Sequence, residues 1–294
     1  MRTRGSAVKY LLRLLFALHC LILSYLIKIN EAYAQCERVI STAPSITDTL
    51  KLLELSSHIV GVTRFCNKNS LTQNPAIIGG FQDLNYERIV KLDPSIVFLL
   101  NESFRDGITL KKLGQNEVVV KQQTLIQIID SISQIAEICN VKEKGEQIVR
   151  DMQAQLQDAH NRSLNKSPLS VMFIVGLPDR SEFSTMYVSG QDSVYFELSR
   201  KLNAEVVGHK LTTPLLSYPM EAIIKDPPDL VIHINPESKN YLTLEHELRE
   251  NWQKLLPNLR DRQIVTLSDP SAWSGGPAFL QLNQKLEEIF NNFR

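Results

Sequence analysis

Few residues in this chain have the type and spacing of catalytic groups. The sequence contains no Gly-x-Ser-x-Gly elbow, no His-Glu-x-x-His pair, no Gly-x-x-x-x-Gly-Lys loop and no Gly-x-Gly-x-x-Gly turn, so the common nucleophile, metalloprotease and nucleotide chemistries lack their signatures. Histidines could ligate a bare metal ion together with carboxylates. They are scattered, however: His209, His233 and His246 all fall in the second half, with no first-half histidine at a matching loop, and His58, His209 and His233 suit surface or hydrogen-bonded core positions better. The expected metal set is therefore empty, the expected catalytic set is empty, and binding is the chemistry left to consider.

Two carboxylates stand out by their spacing. Glu87-Arg88-Ile89-Val90-Lys91-Leu92-Asp93-Pro94-Ser95-Ile96-Val97 recurs 134 positions later as Glu221-Ala222-Ile223-Ile224-Lys225-Asp226-Pro227-Pro228-Asp229-Leu230-Val231. Each copy reads as a short helix stopped by a proline turn, because proline cannot continue a helix and biases the preceding residue away from αR. A β-branched run suited to a buried strand follows. A repeat this long is a duplicated domain and not a solenoid unit. Two similar α/β lobes imply a cleft between them, each lobe carrying a glutamate at the same place.

The first 34 residues read as a targeting segment. Arg2, Arg4, Lys9 and Arg13 precede an apolar stretch from Leu14 to Ile27, and Ala32-Tyr33-Ala34 has the form of a signal-peptidase site. The apolar run falls short of the roughly 20 residues of a bilayer span, which favours cleavage over a retained anchor. Tyr33-Ala34-Gln35 before Cys36 lacks the small residues of a lipobox, which argues against a lipoprotein. The 260 residues that follow hold 27 Lys and Arg against 31 Asp and Glu, a net of −4, without the clustered basic surface of a nucleic-acid binder. They suffice for two lobes with their own cores.

Strands are expected at Arg38–Ser41, Ile59–Thr63, Ala76–Ile78, Ile96–Leu100 and Glu117–Val120, with helices at Tyr86–Leu92, Phe104–Leu113 and Leu125–Cys139. A further helix, from a capping box at Ser45-Ile46-Thr47-Asp48, is expected to run to Leu55. One long helix from Val141 to about Leu164, with Ile148, Met152, Leu156 and Ala159 on a stripe, bridges the lobes. The alternation resumes with strands Ser170–Val175, Met186–Val188, Leu230–Ile234 and Ile264–Leu267, and helices Ser193–Leu202, Met220–Lys225 and Ala278–Phe293. The expected architecture is α/β: lobes at 35–140 and 169–294 with central, mostly parallel sheets, joined by a rigid helix at 141–165. Cys36, Cys66 and Cys139 remain beyond the leader, an odd count that suggests one pair and one free thiol. Helices of such a unit run antiparallel to strands, so the end of helix 125–139 should lie near the strand opened by Arg38. Cys36–Cys139 is thus the favoured disulfide, three free thiols being the alternative.

Arg38-Val39-Ile40-Ser41-Thr42-Ala43-Pro44-Ser45, Val60-Gly61-Val62-Thr63-Arg64-Phe65-Cys66 and Ile78-Gly79-Gly80-Phe81 resemble the periplasmic substrate-binding proteins for cobalamin, ferric siderophores and haem. In the second half Tyr187-Val188-Ser189-Gly190, Ser217-Tyr218-Pro219-x-Glu221, Trp252 and Gly275-Gly276-Pro277 fall in the order of that family. The resemblance spans residues 37–294, the early segment being most similar to the cobalamin branch. It implies a monomeric carrier without cofactor or catalysis, which captures a ligand in the cleft and delivers it to an ABC permease dimer.

The resemblance further implies a binding surface of Pro44, Ser45, Phe65, Cys66, Phe81 and Gln82 from the first lobe and Tyr187, Tyr218, Asp269 and Trp273 from the second. Aromatic side chains on loops offer broad apolar platforms with few rotors to freeze, suited to a flat macrocycle. Glu87 and Glu221, equivalent under the repeat, are the implied permease-docking residues. Two departures matter: Asn67-Lys68-Asn69 replaces the family's Asp-Tyr-Pro, and Gly276-Pro277-Ala278 replaces Gly-Pro-Arg. A cleft arginine is then missing. That argues against a strongly anionic ferric siderophore and favours a nearly neutral corrinoid, with siderophore or haem as the alternatives.

Overall fold

A computed structural model of the chain describes residues 34–67, 71–81, 83–175, 185–191, 193–207, 215–235, 241–257, 260 and 263–294. The expected leader (but for Ala34), Gln82 and His209 lie outside the described residues. The first lobe carries a sheet of β1 (Val39–Ser41), β2 (Ile59–Val62), β3 (Ala76–Ile77), β4 (Ile96–Leu100) and β5 (Glu117–Val120) in the order β3-β2-β1-β4-β5, every neighbouring pair parallel. Helices α1 (Pro44–Leu52), α2 (Tyr86–Lys91), α3 (Phe104–Lys112) and α4 (Leu125–Ile138) connect the strands and flank the sheet. The 22-residue α5 (Lys142–Ser163) leads on into the second lobe.

There β6 (Leu169–Val175), β7 (Thr185–Ser189), β8 (Ala204–Val206), β9 (Leu215–Pro219), β10 (Leu230–Ile234) and β11 (Ile264–Leu267) form a sheet in the order β11-β10-β6-β7-β9, with β8 also pairing β6. The pairs β10·β11, β10·β6 and β6·β8 are parallel, whereas β7 runs antiparallel to both β6 and β9. Helices α6 (Val194–Lys201), α7 (Met220–Lys225), α8 (Tyr241–Leu255) and α9 (Phe279–Phe293) complete the lobe.

The expected α/β architecture of two lobes with mostly parallel sheets is what the chain adopts. Three local expectations are corrected. The capping box at Ser45 does not form: α1 starts at Pro44, where a missing N–H costs nothing, and Ala43 is a cap without a side-chain hydrogen bond. The same helix stops at Leu52 and not at Leu55, because Glu54 turns the backbone left-handed with φ 64°. Strands β8 and β9 and helix α8 are additions in the second lobe. The polar run Tyr241–Leu255 hides its apolar stripe among charges, and β8 is only 3 residues long.

The repeat seen in sequence is also a repeat of structure. Helices α2 and α7 and strands β4 and β10 begin and end 134 positions apart without any shift. Their alternating side chains sort the same way in both lobes: Ile96 and Phe98, like Leu230 and Ile232, face an inner core, while Val97 and Ile89, like Val231 and Ile223, face an outer one. The polar residue after the proline repeats its duty with different chemistry. Ser95 Oγ accepts from the N–H of Arg38 at 3.1 Å, and Asp229 Oδ2 from the N–H of Ser170 at 2.8 Å, each at the start of the lobe's central strand.

The inner core is continuous between the lobes. It runs from Ile46, Phe98, Val120 and Ile132 through Met152 and Leu156 of α5 to Phe173, Leu198, Phe279 and Phe290. At 1.5 Å per residue α5 is about 33 Å long. It is held to the first lobe where Gly145 lets it approach α4, a Cβ there standing 2.4 Å from Ala136 Cβ, and by Lys144 to Glu54. At its far end Arg162 makes a two-pronged contact with Glu287 of α9, at 2.7 and 2.8 Å. Each exposed ion pair adds little by itself, so the shared core is what makes the rod a rigid spacer. Helix α4 ends where Asn140 takes φ 55°, and there Cys139 is disulfide-bonded to Cys36, 103 positions earlier at the start of the lobe.

Candidate ligand site

Parallel strands place all their carboxyl ends on one edge, so the loops after β1, β2, β3 and β4 line one rim of the first lobe. The second lobe's β11 is followed by Ser268 to Pro277. These rims meet: Gly276, at φ 58°, lies so close to the start of α1 that an added Cβ would stand 2.7 Å from Ser45 Cβ and 3.0 Å from its carbonyl oxygen. Only glycine fits that approach in that conformation. The carboxyl edges of the two sheets therefore face each other, and Ser45 is closed off between them, 3% exposed.

Four of the expected binding residues present open aromatic faces on these rims. Phe65 follows β2 and is 60% exposed, Phe81 follows β3 at 36%, and Trp273 follows β11 at 37%. Tyr187 is 59% exposed and sits on β7 one residue beyond the point where Val188 pairs with Ile174, near the carboxyl end of β6. Phe104, also 60% exposed, joins them at the end of β4. Its position after a parallel strand was the available signal, and starting a helix obscured it.

Other expected members are committed elsewhere. Cys66 is buried, its sulfur accepting from Thr47 Oγ1 at 3.2 Å and lying 3.3 Å from Thr63 Oγ1, so it belongs to the loop's interior. Pro44 is the first residue of α1 and serves to start the helix. Tyr218 pairs with Met186 and shares its face of the sheet against the outer core, whereas Tyr187, one residue on, faces the other side. The two tyrosines thus do not make one wall. Asp269 caps the turn Pro270–Ala272, Oδ1 accepting from Ser271 N–H at 2.9 Å and Ser271 Oγ at 2.6 Å, with Lys285 Nζ 3.1 Å from Oδ2. Burial alone would raise its pKa, but these donors outweigh it and hold the carboxyl below its usual range.

A cationic group does stand on the rim, although Ala278 holds the place of the arginine in the family's Gly-Pro-Arg. Arg64 follows β2, half exposed, with its guanidinium 5.8 Å over the Phe65 ring and donating to both carboxylate oxygens of Asp83. Between the rims lies a crevice of about 160 Å3 lined by Ile128 of α4 and by Tyr195, Ala272, Trp273 and Phe279. Leu125 N–H of the first lobe donates to Glu197 Oε2 of the second at 2.5 Å. Of the histidines, His233 is buried, its Nε2 accepting from Trp252 Nε1–H at 2.6 Å. Among the described residues no group of three or more His, Cys, Asp or Glu is placed to hold a metal ion.

Facing rims on two lobes with a rigid spacer describe a carrier, and the sequence agrees: residues 39–270 match the periplasmic binding protein family. The chain belongs to that family. Members are binding components of ABC importers and not enzymes. A Bacillus subtilis ABC transporter substrate-binding lipoprotein is 22% identical over 86% of this chain and 79% of its own length. The vitamin B12-binding protein of Pectobacterium atrosepticum is 22% identical over 71% of this chain and 76% of its own. Among solved structures, the periplasmic haem-binding protein HutB of Vibrio cholerae superposes with a TM-score of 0.74 at 20% identity, covering 86% of this chain and 98% of that one. The vitamin B12-binding protein BtuF of the same organism gives 0.72 at 17%, covering 88% and 98%. At such identities the structural likenesses establish the fold, two lobes about a mostly parallel α/β core, and leave the ligand to the residues.

Proposed function

We propose that this family member captures a corrinoid between its lobes outside the cytoplasm and hands it to an ABC permease. The observation that carries the reading is the set of open aromatic faces, Phe65, Phe81 and Phe104 on one rim and Tyr187 and Trp273 on the other. The interlobe crevice is well below the roughly 300–1,000 Å3 of an ordinary ligand pocket. A macrocycle is therefore held at the aromatic rims and not inside the crevice. Titrating the purified protein with cyanocobalamin, haem and a ferric siderophore, following tryptophan fluorescence and visible absorption, tests this. Cyanocobalamin should quench Trp273 at micromolar concentration, with Trp273→Phe abolishing most of the signal because Trp252 is fully buried. No binding of cyanocobalamin would overturn the corrinoid reading. Haem is the second reading, favoured by Arg64 on the rim, since guanidinium is a natural carboxylate partner.

Export with cleavage after Ala34 completes the reading. The bond between Cys36 and Cys139 leaves no Cys36 thiol for lipid, in favour of a free periplasmic form over an anchored one. Among the described residues no helix is long and apolar enough to cross a membrane. For the permease, Glu87 and Glu221 are the proposed docking residues. Both are exposed on the second position of matching six-residue helices, and each has an exposed apolar neighbour three residues on, on the same helix face: Val90 at 41% and Ile224 at 48%. Two equivalent patches suit a partner built from two equivalent subunits.

A further inference from the structure

We propose that the Arg64–Asp83 pair sets the charge class of the ligand: while Asp83 occupies the guanidinium, the first-lobe rim favours uncharged macrocycles over those bearing carboxylates. This rests on the reading of the rims as a macrocycle site. Arg64 stands over the open Phe65 ring and beside Gly80, the residue before the exposed Phe81, where it would meet an acidic substituent of a ligand stacked there. Its fork of donors is filled instead from within the protein. Nη1 donates to Asp83 Oδ1 at 3.2 Å and Nη2 to Oδ2.

The loop is built to bring these partners together. Arg64 N–H donates to Gly79 O at 2.9 Å, a bridge joins Gly79 to Leu84, and Asn85 N–H donates to Ile78 O at 2.8 Å, so Gly79 and Leu84 are drawn together beside Arg64. Gly79, at φ 109°, allows the closure, since a Cβ would stand 2.2 Å from Asp83 O. Gly80 leaves the gap the pair spans: an added Cβ would be 2.4 Å from both Arg64 Nη1 and Asp83 Oδ1. Hydrogen bonding to Arg64 holds the Asp83 carboxyl below its usual range, so the aspartate stays ionised at neutral pH. With the two side chains 50% and 60% exposed, the pair contributes little to folding. Trading one carboxylate for another on Arg64 is therefore nearly balanced, and the resident carboxylate acts as a built-in competitor for an acidic ligand.

The test measures haem, with its two carboxylates, against cyanocobalamin on the whole protein. In Asp83→Asn the haem dissociation constant should fall about tenfold, the scale of one charge-assisted bidentate contact, while that of cyanocobalamin changes less than about threefold. Arg64→Gln combined with Asp83→Asn should cancel the gain. Gly80→Ala, whose backbone suits any residue, should push the partners apart without deleting either charge and shift the ratio the same way. This second variant covers any folding loss in Asp83→Asn. An unmoved haem-to-cobalamin ratio in variants that melt like wild type, or a gain that survives without Arg64, would overturn the inference alone. Wild-type protein that binds neither probe would overturn the ligand reading and the inference together.

Discussion

The two lobes follow one plan from residue 86 and from residue 220, and they part company at two equivalent positions. Asp93, at φ 45°, ends the first turn in a left-handed conformation; its counterpart is Pro227, whose ring forbids that conformation, so the second turn is shaped differently. Leu99 fills the outer core of the first lobe, and its counterpart His233 fills that of the second. A buried imidazole is tolerated because α8, which joins β10 to β11 as α3 joins β4 to β5, brings Trp252 to donate to it. The accepting Nε2 fixes the proton on Nδ1, a buried donor without a partner among the described residues. Duplicated backbone geometry thus survives a change from apolar to polar core when the helix after the strand supplies the partner. The first lobe uses a different device, closing itself with the Cys36–Cys139 bond.

The largest expected effect falls on the second lobe's substitute core. Trp252→Ala should destabilise it by about 3–5 kcal/mol, the range for a fully buried aromatic, and leave His233 without its donor. Denaturant unfolding followed by amide exchange should show the loss confined to β6, β10 and β11 first. Removing the first lobe's disulfide by Cys36→Ser with Cys139→Ser should cost about 2–5 kcal/mol, because the bond closes a loop of some hundred residues in the unfolded chain. Exchange there should rise around β1 and α4 while the second lobe's outer core keeps its protection. Uniform loss across both lobes in either variant would break the comparison.

Smaller effects come from pH and from ligand contacts. Burial pushes His233 down to about 3 from an ordinary 6.5. Above pH 6.5 the imidazole is neutral folded and unfolded, and its contribution is fully present. As pH falls from 6.5 toward 3 the unfolded chain takes up a proton the folded chain refuses. Stability should then decline by at most about 1.4 kcal/mol per pH unit from this group. His233→Leu with Trp252→Phe, restoring the first-lobe residue type, should flatten that slope between pH 6.5 and 4.5 in urea melts. Phe65→Ala and Phe81→Ala should each weaken cyanocobalamin binding by about 1–3 kcal/mol. Tyr218→Ala, on the opposite face from Tyr187, should instead lower stability and leave affinity within about threefold.

Much of this was legible in the sequence because periodicity and proline placement report on backbone. The helices, turns and strands of the repeat and the long α5 follow from such local patterns, whereas the aromatics Phe65, Phe81, Tyr187 and Trp273 were singled out through the family resemblance. What was not legible depends on distant partners. Ser45 reads as a cap until Gly276 covers it, Asp269 as a cleft carboxylate until Lys285 and Ser271 engage it, and Tyr218 as a rim residue until register pairs it with Met186. Arg64 reads as one more motif residue until the pairing of Gly79 with Leu84 brings Asp83 to its guanidinium.

The sharpest test of a two-lobed carrier presented symmetrically to its permease uses both halves of the repeat together. Glu87→Lys with Glu221→Lys should leave cyanocobalamin affinity and melting temperature unchanged, since both side chains are exposed and neither is among the aromatic residues proposed to hold the ligand. In proteoliposomes containing the permease, the same double variant should abolish ligand uptake, and it should reduce the salt sensitivity of carrier–permease association, as expected for rim charges. Uptake at the wild-type rate by the double variant would contradict the account.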